Sequence, residues 1–446
     1  MMAATLAIPS AGPLRAPRFP KILEAELPGG VHGLFARRPA LPIVELRLVV
    51  PLASVDIVRP APVSVLSRAL LAGTDRHDRI SLAEEIEGLG ASLGADLHDD
   101  RLVISGAVLA GKLGAFVGLL GEVLSGATYE EHEVKADRDR LADETVIALS
   151  QPGVIAGQAL RRRLFGSHPY ATPLPSPATL RRVHGDALRS LHRAVLDPAQ
   201  AHLAIAGDLQ PARALALCEE MAASWAASTE GARPQPPPVS PPVAGPIELV
   251  ARPGGVQSNL RLGGAAPSLS DAAWPAADLA ESIFAGMFSS RLTANLRERN
   301  GYSYSPGSYV RHRRAGSYLV VAADVATEAT GAALVETNYE LGRMAVTGVS
   351  DNELEQARSY LVGRFGYETS SLASYTSTLA GLAVSGVGLG YLESYPKGLI
   401  AATKAQVDDA ARRFLAPSQM VSVVVGDPDR VAGPLSTLGE VVTRSS

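Results

Sequence analysis

HLAIAGDLQP (residues 202–211) and MVSVVVGDPD (420–429) decide how the chain is built. Each is an apolar strand that stops at Gly-Asp: Gly207-Asp208 in one, Gly426-Asp427 in the other, 219 residues further on. Upstream of each lies a helical segment, EVKADRDRL (133–141) and ELEQARSYL (353–361), offset by 220 residues. Apolar Val134 and Leu141 fall where Leu354 and Leu361 fall. Two independent pairs at nearly one spacing, in one order, predict a tandem duplication of a single fold. Between the copies runs a proline-rich stretch, 227–246, whose composition favours an extended, semi-rigid linker. The expected organisation is therefore an N-terminal domain at 1–226, a linker at 227–246 and a C-terminal domain at 247–446.

Within each copy strands and helices mix without regular alternation, which predicts α+β rather than a doubly wound sheet. IVELRLVVPL (43–52) and RLVISGAVLA (101–110) read as strands from their β-branched content. SLAEEIEGLG (81–90) reads as a helix capped by Ser81, with Glu84 closing a capping box. TLRRVHGDALRSLHRAVL (179–196) reads as one helix from Leu180, Val183, Leu188 and Leu191.

With 446 residues, 46% of them hydrophobic and 19% charged, the chain is globular and large enough for more than one core. Forty-one basic residues against 45 acidic leave a net charge of −4, so there is no basic field to gather nucleic acid. A single cysteine, Cys218, excludes an intrachain disulfide framework and a cysteine zinc cluster; on ALALCEEMAASW it reads as helix packing. No run of 18 apolar residues offers a membrane span. The start, MMAATLAIPSAGPLRAP, lacks a basic n-region, and its doubled Met fits an initiator placed before a trimmed exported sequence. The periplasm is the expected location, with the cytoplasm as the alternative.

The nine histidines include no i, i+4 pair able to present two imidazoles to zinc. His184 and His192, flanked by Arg, read as solvated, and HPY at 168–170 as a structural turn. No GxSxG elbow is present, and SGVGLG (385–390) lacks the strand–GxGxxG–helix setting of a dinucleotide site.

One segment carries chemistry: FSSRLTANLRERNGYSYSPGSYV, 288–310. A short helix from Arg291 to about Arg299 should end at Asn300-Gly301 and lead into an extended aromatic stretch. Arg297 on the last turn and Tyr304 seven residues later could face one point across that cap. A guanidinium and a phenol donate hydrogen bonds without taking up a proton at neutral pH, which suits a carbonyl or an oxyanion. Equally, Tyr304 could pack and Arg297 form a surface ion pair.

The segment resembles the C-terminal-domain signature of the pitrilysin (insulinase) family of zinc metallopeptidases, which includes the mitochondrial processing peptidase. The family's Ser-x-Leu, Leu-Arg-Glu and Gly-x-x-Tyr read here as Ser290, Leu292, Leu296-Arg297-Glu298, Gly301 and Tyr304. VARPGGVQSNLRLGG (250–264), LPGGVHGLFARRPALPIVELRLVV (27–50) and LFGSHPYATPLPS (164–176) resemble other family segments, so the likeness spans nearly the whole chain. It implies two tandem homologous domains, each a mainly antiparallel sheet with packed helices, forming half of a clam. It makes Arg297 and Tyr304 the catalytic pair.

The departure is in the first half. Active members carry His-x-x-Glu-His shortly before a Gly-Thr; counting back from Gly73-Thr74, those positions hold Ser64, Ser67 and Arg68. Glu144 falls near the family's third zinc ligand and is expected to pair with Arg68. In the family's substrate-edge strand, ASLGADLHDD (91–100), Gly94 stands where Asn is usual, and Gly94 with Ala95 are the expected peptide-binding positions. The resemblance implies no metal on this chain and a homologous partner subunit bearing His-x-x-Glu-His, zinc and the general base. The pair would cleave unfolded peptides, with no nucleic acid and no membrane involved. The competing readings are a non-catalytic scaffold, as in the core subunits of the respiratory cytochrome bc complex, and a substrate-binding member like the glycine-loop subunit of the processing peptidase.

Overall fold

The computed structural model describes residues 12–225 and 233–445; positions 1–11, with most of the start discussed above, and 227–232 of the proline-rich stretch lie outside it. The first half contributes β1 (Ile22–Glu26), β2 (His32–Arg37), β3 (Ile43–Pro51), β4 (Ser92–Leu97), β5 (Arg101–Leu109) and β6 (His202–Gly207). They form one sheet in the order β1-β2-β6-β3-β5-β4. The second half contributes β7 (Ile247–Ala251), β8 (Gln257–Ala266), β9 (Gly307–Arg313), β10 (Gly316–Ala326), β11 (Val421–Gly426) and β12 (Val441–Ser445), ordered β12-β7-β11-β8-β10-β9.

Five strands of each sheet correspond. β2-β6-β3-β5-β4 and β7-β11-β8-β10-β9 share one order, and in both the first pair is parallel and the rest antiparallel. Only the outermost strand differs: β1 runs antiparallel to β2, whereas β12 runs parallel to β7. The Gly-Asp stops have a steric cause. A Cβ at Gly207, whose φ is +148°, would sit 2.2 Å from the Ile43 carbonyl oxygen, and one at Gly426 would sit 2.6 Å from Ser258 Oγ. At Gly207 the obstacle is fixed backbone, so only hydrogen fits; at Gly426 a side chain would have to displace the buried Ser258 hydroxyl.

Each sheet is covered by a helix of the opposite half. Helix Pro152–Phe165 lies on β8 and β11, and helix Leu372–Ser385 lies on β3 and β6. Consequently one apolar core joins Leu160 and Leu164 to Val421, Val423 and Val425. The other joins Leu379 and Ala380 to Leu34, Val49 and Ala204. Polar ties reinforce the exchange. Arg38 donates to the Thr369 carbonyl at 2.9 Å, and buried Asp100 accepts from Tyr170 Oη and from the Arg314 backbone N–H, each at 2.9 Å. Arg313 pairs with Asp99, so the β4–β5 and β9–β10 hairpin turns lock together. Residues 233–246 run without helix or strand but pinned down: Arg233 grips the buried Asp56 carboxylate at 2.8 and 2.7 Å, and Val239 N–H donates to the Ala315 carbonyl at 2.8 Å.

Three local expectations need correction. The helix predicted from Ser81 starts at Arg79, and Asp78 caps it by accepting from the Ser81 N–H at 2.8 Å. The single helix over 179–196 is two, Pro177–Leu180 and Gly185–Val195. A Cβ at Gly185 would lie 2.2 Å from the Tyr129 carbonyl oxygen, so the chain breaks step to pass beneath it. His192 is buried, not solvated. Its Nδ1 accepts from Tyr129 Oη at 2.7 Å and its Nε2 donates to the Leu124 carbonyl at 2.8 Å, in a site whose burial holds its pKa below the ordinary value. HPY is structural as expected: Tyr170 reaches Asp100, and His168 lies 2.8 Å from the Pro237 carbonyl. Cys218 is fully buried, and burial pushes its thiol up to about 12.

Candidate functional site

Phe288 to Tyr304 forms a short, heavily anchored unit. Ser290 caps helix Arg291–Thr293, which widens into a π-helical turn over Ala294–Arg299. Leu292 and Leu296 point fully into the core. Arg291 clamps Glu353 with two hydrogen bonds, 2.6 and 2.9 Å, and this pairing pushes the Glu353 carboxyl down to about 2. Asn295, also buried, donates to Glu336 at 2.7 Å and Glu340 at 2.8 Å and accepts from Asn300 at 2.7 Å. Gly301, at φ +63°, ends the turn, with its N–H on the Arg297 carbonyl at 3.1 Å. The next residues fold back: Tyr302 N–H donates to the Leu296 carbonyl at 2.7 Å, and Ser303 Oγ to the Asp324 carbonyl at 2.9 Å.

That frame brings Arg297 and Tyr304 together. The Arg297 guanidinium carbon lies 4.8 Å from the centroid of the Tyr304 ring and 4.8 Å from that of Phe288. Its Nε is 3.2 Å from Glu298 Oε1. Tyr304 is 80% exposed and its hydroxyl has no hydrogen bond among the described residues. Of the alternative to a donor pair, the Arg297 ion pair is present, but Tyr304 is not packed into the core. What results is a guanidinium and a phenol held against each other with the phenol O–H facing solvent, an arrangement that can donate to an incoming carbonyl oxygen or oxyanion.

The first-half positions also meet, without making a metal site. Ser64, Ser67 and Arg68 lie on helix Pro60–Ala69, and the Arg68 guanidinium binds the Glu144 carboxylate on helix Glu131–Ser150. Ser67 Oγ donates to the Ser64 carbonyl at 2.9 Å. Two hydroxyls, a guanidinium and one ion-paired carboxylate are the wrong donor chemistry for zinc, which takes imidazole, thiolate or carboxylate from three or four ligands. Among the described residues no cluster of three His, Cys, Asp or Glu offers an alternative. Gly94 and Ala95 lie on β4, the outermost strand of its sheet, opposite Ser105 and Ile104, and nothing lies within 4 Å of where a Gly94 Cβ would stand. No hydrogen bond, ion pair or ring contact among the described residues joins Arg297 or Tyr304 to Arg68, Glu144, Gly94 or Ala95.

One constellation escaped the sequence reading. A cavity of about 740 Å³ is lined in part by Trp274, Asp278, Glu281, His312, Arg364 and Tyr395. Asp278 and Glu281, one helical turn apart on Trp274–Glu281, are both buried. Tyr395 donates to Asp278, Arg364 stands 3.7 Å from it, and Ser308 donates to Glu281 at 2.5 Å. Burial, with Asp278 beside it, pushes the Glu281 carboxyl up to about 8, so the pair retains a proton at neutral pH. The signal was there: two carboxylates in the otherwise apolar WPAADLAESIFAG (274–286).

Comparison with known proteins gives the chain's likenesses. The description "Peptidase M16 inactive domain" matches residues 182–361, a stretch that contains both Arg297 and Tyr304. The chain is 23% identical over 306 residues to an uncharacterized zinc protease of Streptomyces coelicolor, covering 67% of this chain and 66% of that protein. It is 24% identical over 298 residues to one of Mycobacterium leprae, covering 65% and 66%. The chain thus spans just under two thirds of these relatives. The fold is shared with a crystal structure described as a peptidase M16 inactive domain from Pseudomonas fluorescens (TM-score 0.85, 23% identity, 91% of this chain and 98% of that one). It is shared too with a protease from Helicobacter pylori (TM-score 0.81, 16% identity, 92% and 100%). The similarity to M16 peptidases is thus one of fold across the chain and of a family match confined to residues 182–361.

Proposed function

We propose that this chain is the non-zinc subunit of a two-chain metallopeptidase that degrades unfolded peptides. In this reading its two halves, 1–226 and 247–446, are tandem homologous domains joined by the linker 227–246, and the common strand order of the two sheets supports that. Arg297 and Tyr304 are its contribution to catalysis. A homologous partner carrying His-x-x-Glu-His supplies the zinc and the carboxylate base that activates water.

The observation that carries the proposal is a contrast within one molecule. The Arg297–Tyr304 pair is braced by Arg291, Asn295 and Gly301 and left open to solvent. The metal positions hold Ser64, Ser67 and Arg68, with Glu144 neutralised by Arg68. Tyr304 Oη and the Arg297 guanidinium would donate to the peptide carbonyl as it becomes an oxyanion. The peptide would add as a further strand along the free edge of β4, through main-chain hydrogen bonds past Gly94 and Ala95. Gly94 leaves that approach unobstructed. We assign the complex to the periplasm.

The test is to purify this chain alone and mixed with the zinc-motif relative from the same genome, then follow cleavage of an unstructured fluorescence-quenched peptide. Activity confined to the mixture and abolished by a chelator is the expected result. A mixture no better than the partner alone would favour a scaffold instead.

A further inference from the structure

We infer that Phe288 is a positioning residue for Arg297, and through it for Tyr304. This rests on the reading of Arg297 and Tyr304 as hydrogen-bond donors to the peptide and adds a residue with no donor of its own. Phe288 is 71% exposed, so its ring is not held by the core. What it meets is the Arg297 guanidinium, 4.8 Å from ring centroid to carbon. Tyr304 meets the same carbon at the same distance, yet no ring contact joins Phe288 to Tyr304, so the two rings approach the guanidinium from different sides.

Arg297 needs such a hold. Its only ion-pair partner among the described residues is its neighbour Glu298, whose side chain is 62% exposed against 31% for Arg297, and a partner that lies largely in solvent fixes orientation poorly. Two rings against one guanidinium restrict its movement more than either would alone, which would hold its N–H groups ready for a substrate carbonyl. The rings' own placement is secured by the backbone. Ser290 N–H donates to the Met287 carbonyl at 3.1 Å, just behind Phe288, and Ser303 anchors the chain just before Tyr304.

Two readouts test this. In the isolated chain labelled with ¹⁵N-arginine, the Arg297 Nε–H resonance, identified by its loss in Arg297→Lys, should be shifted upfield by ring currents. Phe288→Ala and Phe288→Leu should relax that shift, and Phe288→Tyr should keep it. In the mixture with the zinc-bearing partner, Phe288→Ala and Phe288→Leu should each lower kcat roughly five-fold, the size expected for one exposed cation–π contact. KM should stay within about two-fold, and Phe288→Tyr should restore turnover. A leucine variant equal to wild type in both readouts would overturn the positioning role, since apolar bulk would then suffice. If instead Arg297→Lys and Tyr304→Phe also leave turnover intact, the donor reading itself fails, and the resonance shift reports on Phe288 independently.

Discussion

The Arg297 guanidinium carbon sits 4.8 Å from the centre of the Tyr304 ring, so charge and phenol form one unit although they lie seven positions apart in the chain. The stack uses the face of the tyrosine and leaves its hydroxyl free.

Tyr304→Phe keeps the stack and deletes only the donor. In the two-chain mixture turnover should fall about 10²–10³-fold, the usual cost of losing one oxyanion donor. Binding between the chains, followed by analytical ultracentrifugation, should be unchanged. Near-wild-type turnover would remove Tyr304 from the chemistry.

The chain should bind no zinc that survives dialysis against a weak chelator. Replacing Ser64 with His, Ser67 with Glu and Arg68 with His restores the family's donors and releases Glu144 from its ion pair. The triple variant should retain about one zinc per chain by elemental analysis. Stoichiometric zinc on the unaltered chain would contradict the proposed division of labour.

Glu281 gives a pH dependence of definite sign. In the fold it keeps its proton to about pH 8, whereas the unfolded chain sheds it near the ordinary 4.5. Below 4.5 both states are protonated and nothing is lost. Between the two values the unfolded state releases a proton that the fold retains, so stability declines as pH rises, then levels off above 8. Urea denaturation of wild type and Glu281→Gln should therefore diverge. Between pH 6 and pH 8 the wild type should lose roughly 2 kcal/mol relative to the variant.

Asp100 joins the hairpin turns of the two halves from a fully buried position. Asp100→Ala strands the Tyr170 hydroxyl and the Arg314 N–H without an acceptor, at a cost of about 2–4 kcal/mol. Thermal unfolding should shift down clearly. Asp139→Ala, which removes a surface pair with Lys135, should leave the midpoint in place.

The repeated strands were legible because their stops are steric. The Ile43 carbonyl leaves room for glycine alone at Gly207, the Ser258 hydroxyl crowds any larger residue at Gly426, and that imprint stays in the sequence. The Arg297–Tyr304 pair was legible for a similar reason, since Gly301 must take a left-handed turn between them. Competition defeated the local readings. Asp78 and Ser81 are both good caps, and the carboxylate took the place by accepting from Ser81. His192 looked solvated because its partner, Tyr129, comes from 63 residues away. The Asp278–Glu281 pair depends on Ser308, Arg364 and Tyr395, whose approach no local pattern announces. An amphipathic helix reads the same whichever sheet it covers, so the exchange of Pro152–Phe165 and Leu372–Ser385 left no trace.

That exchange governs how the molecule can move. Bending at residues 233–246 would peel a helix from a sheet on both sides at once, uncovering two greasy surfaces for the sake of a single hinge. The chain therefore travels as one block, and on the two-chain proposal the gap that admits a peptide has to open between separate molecules.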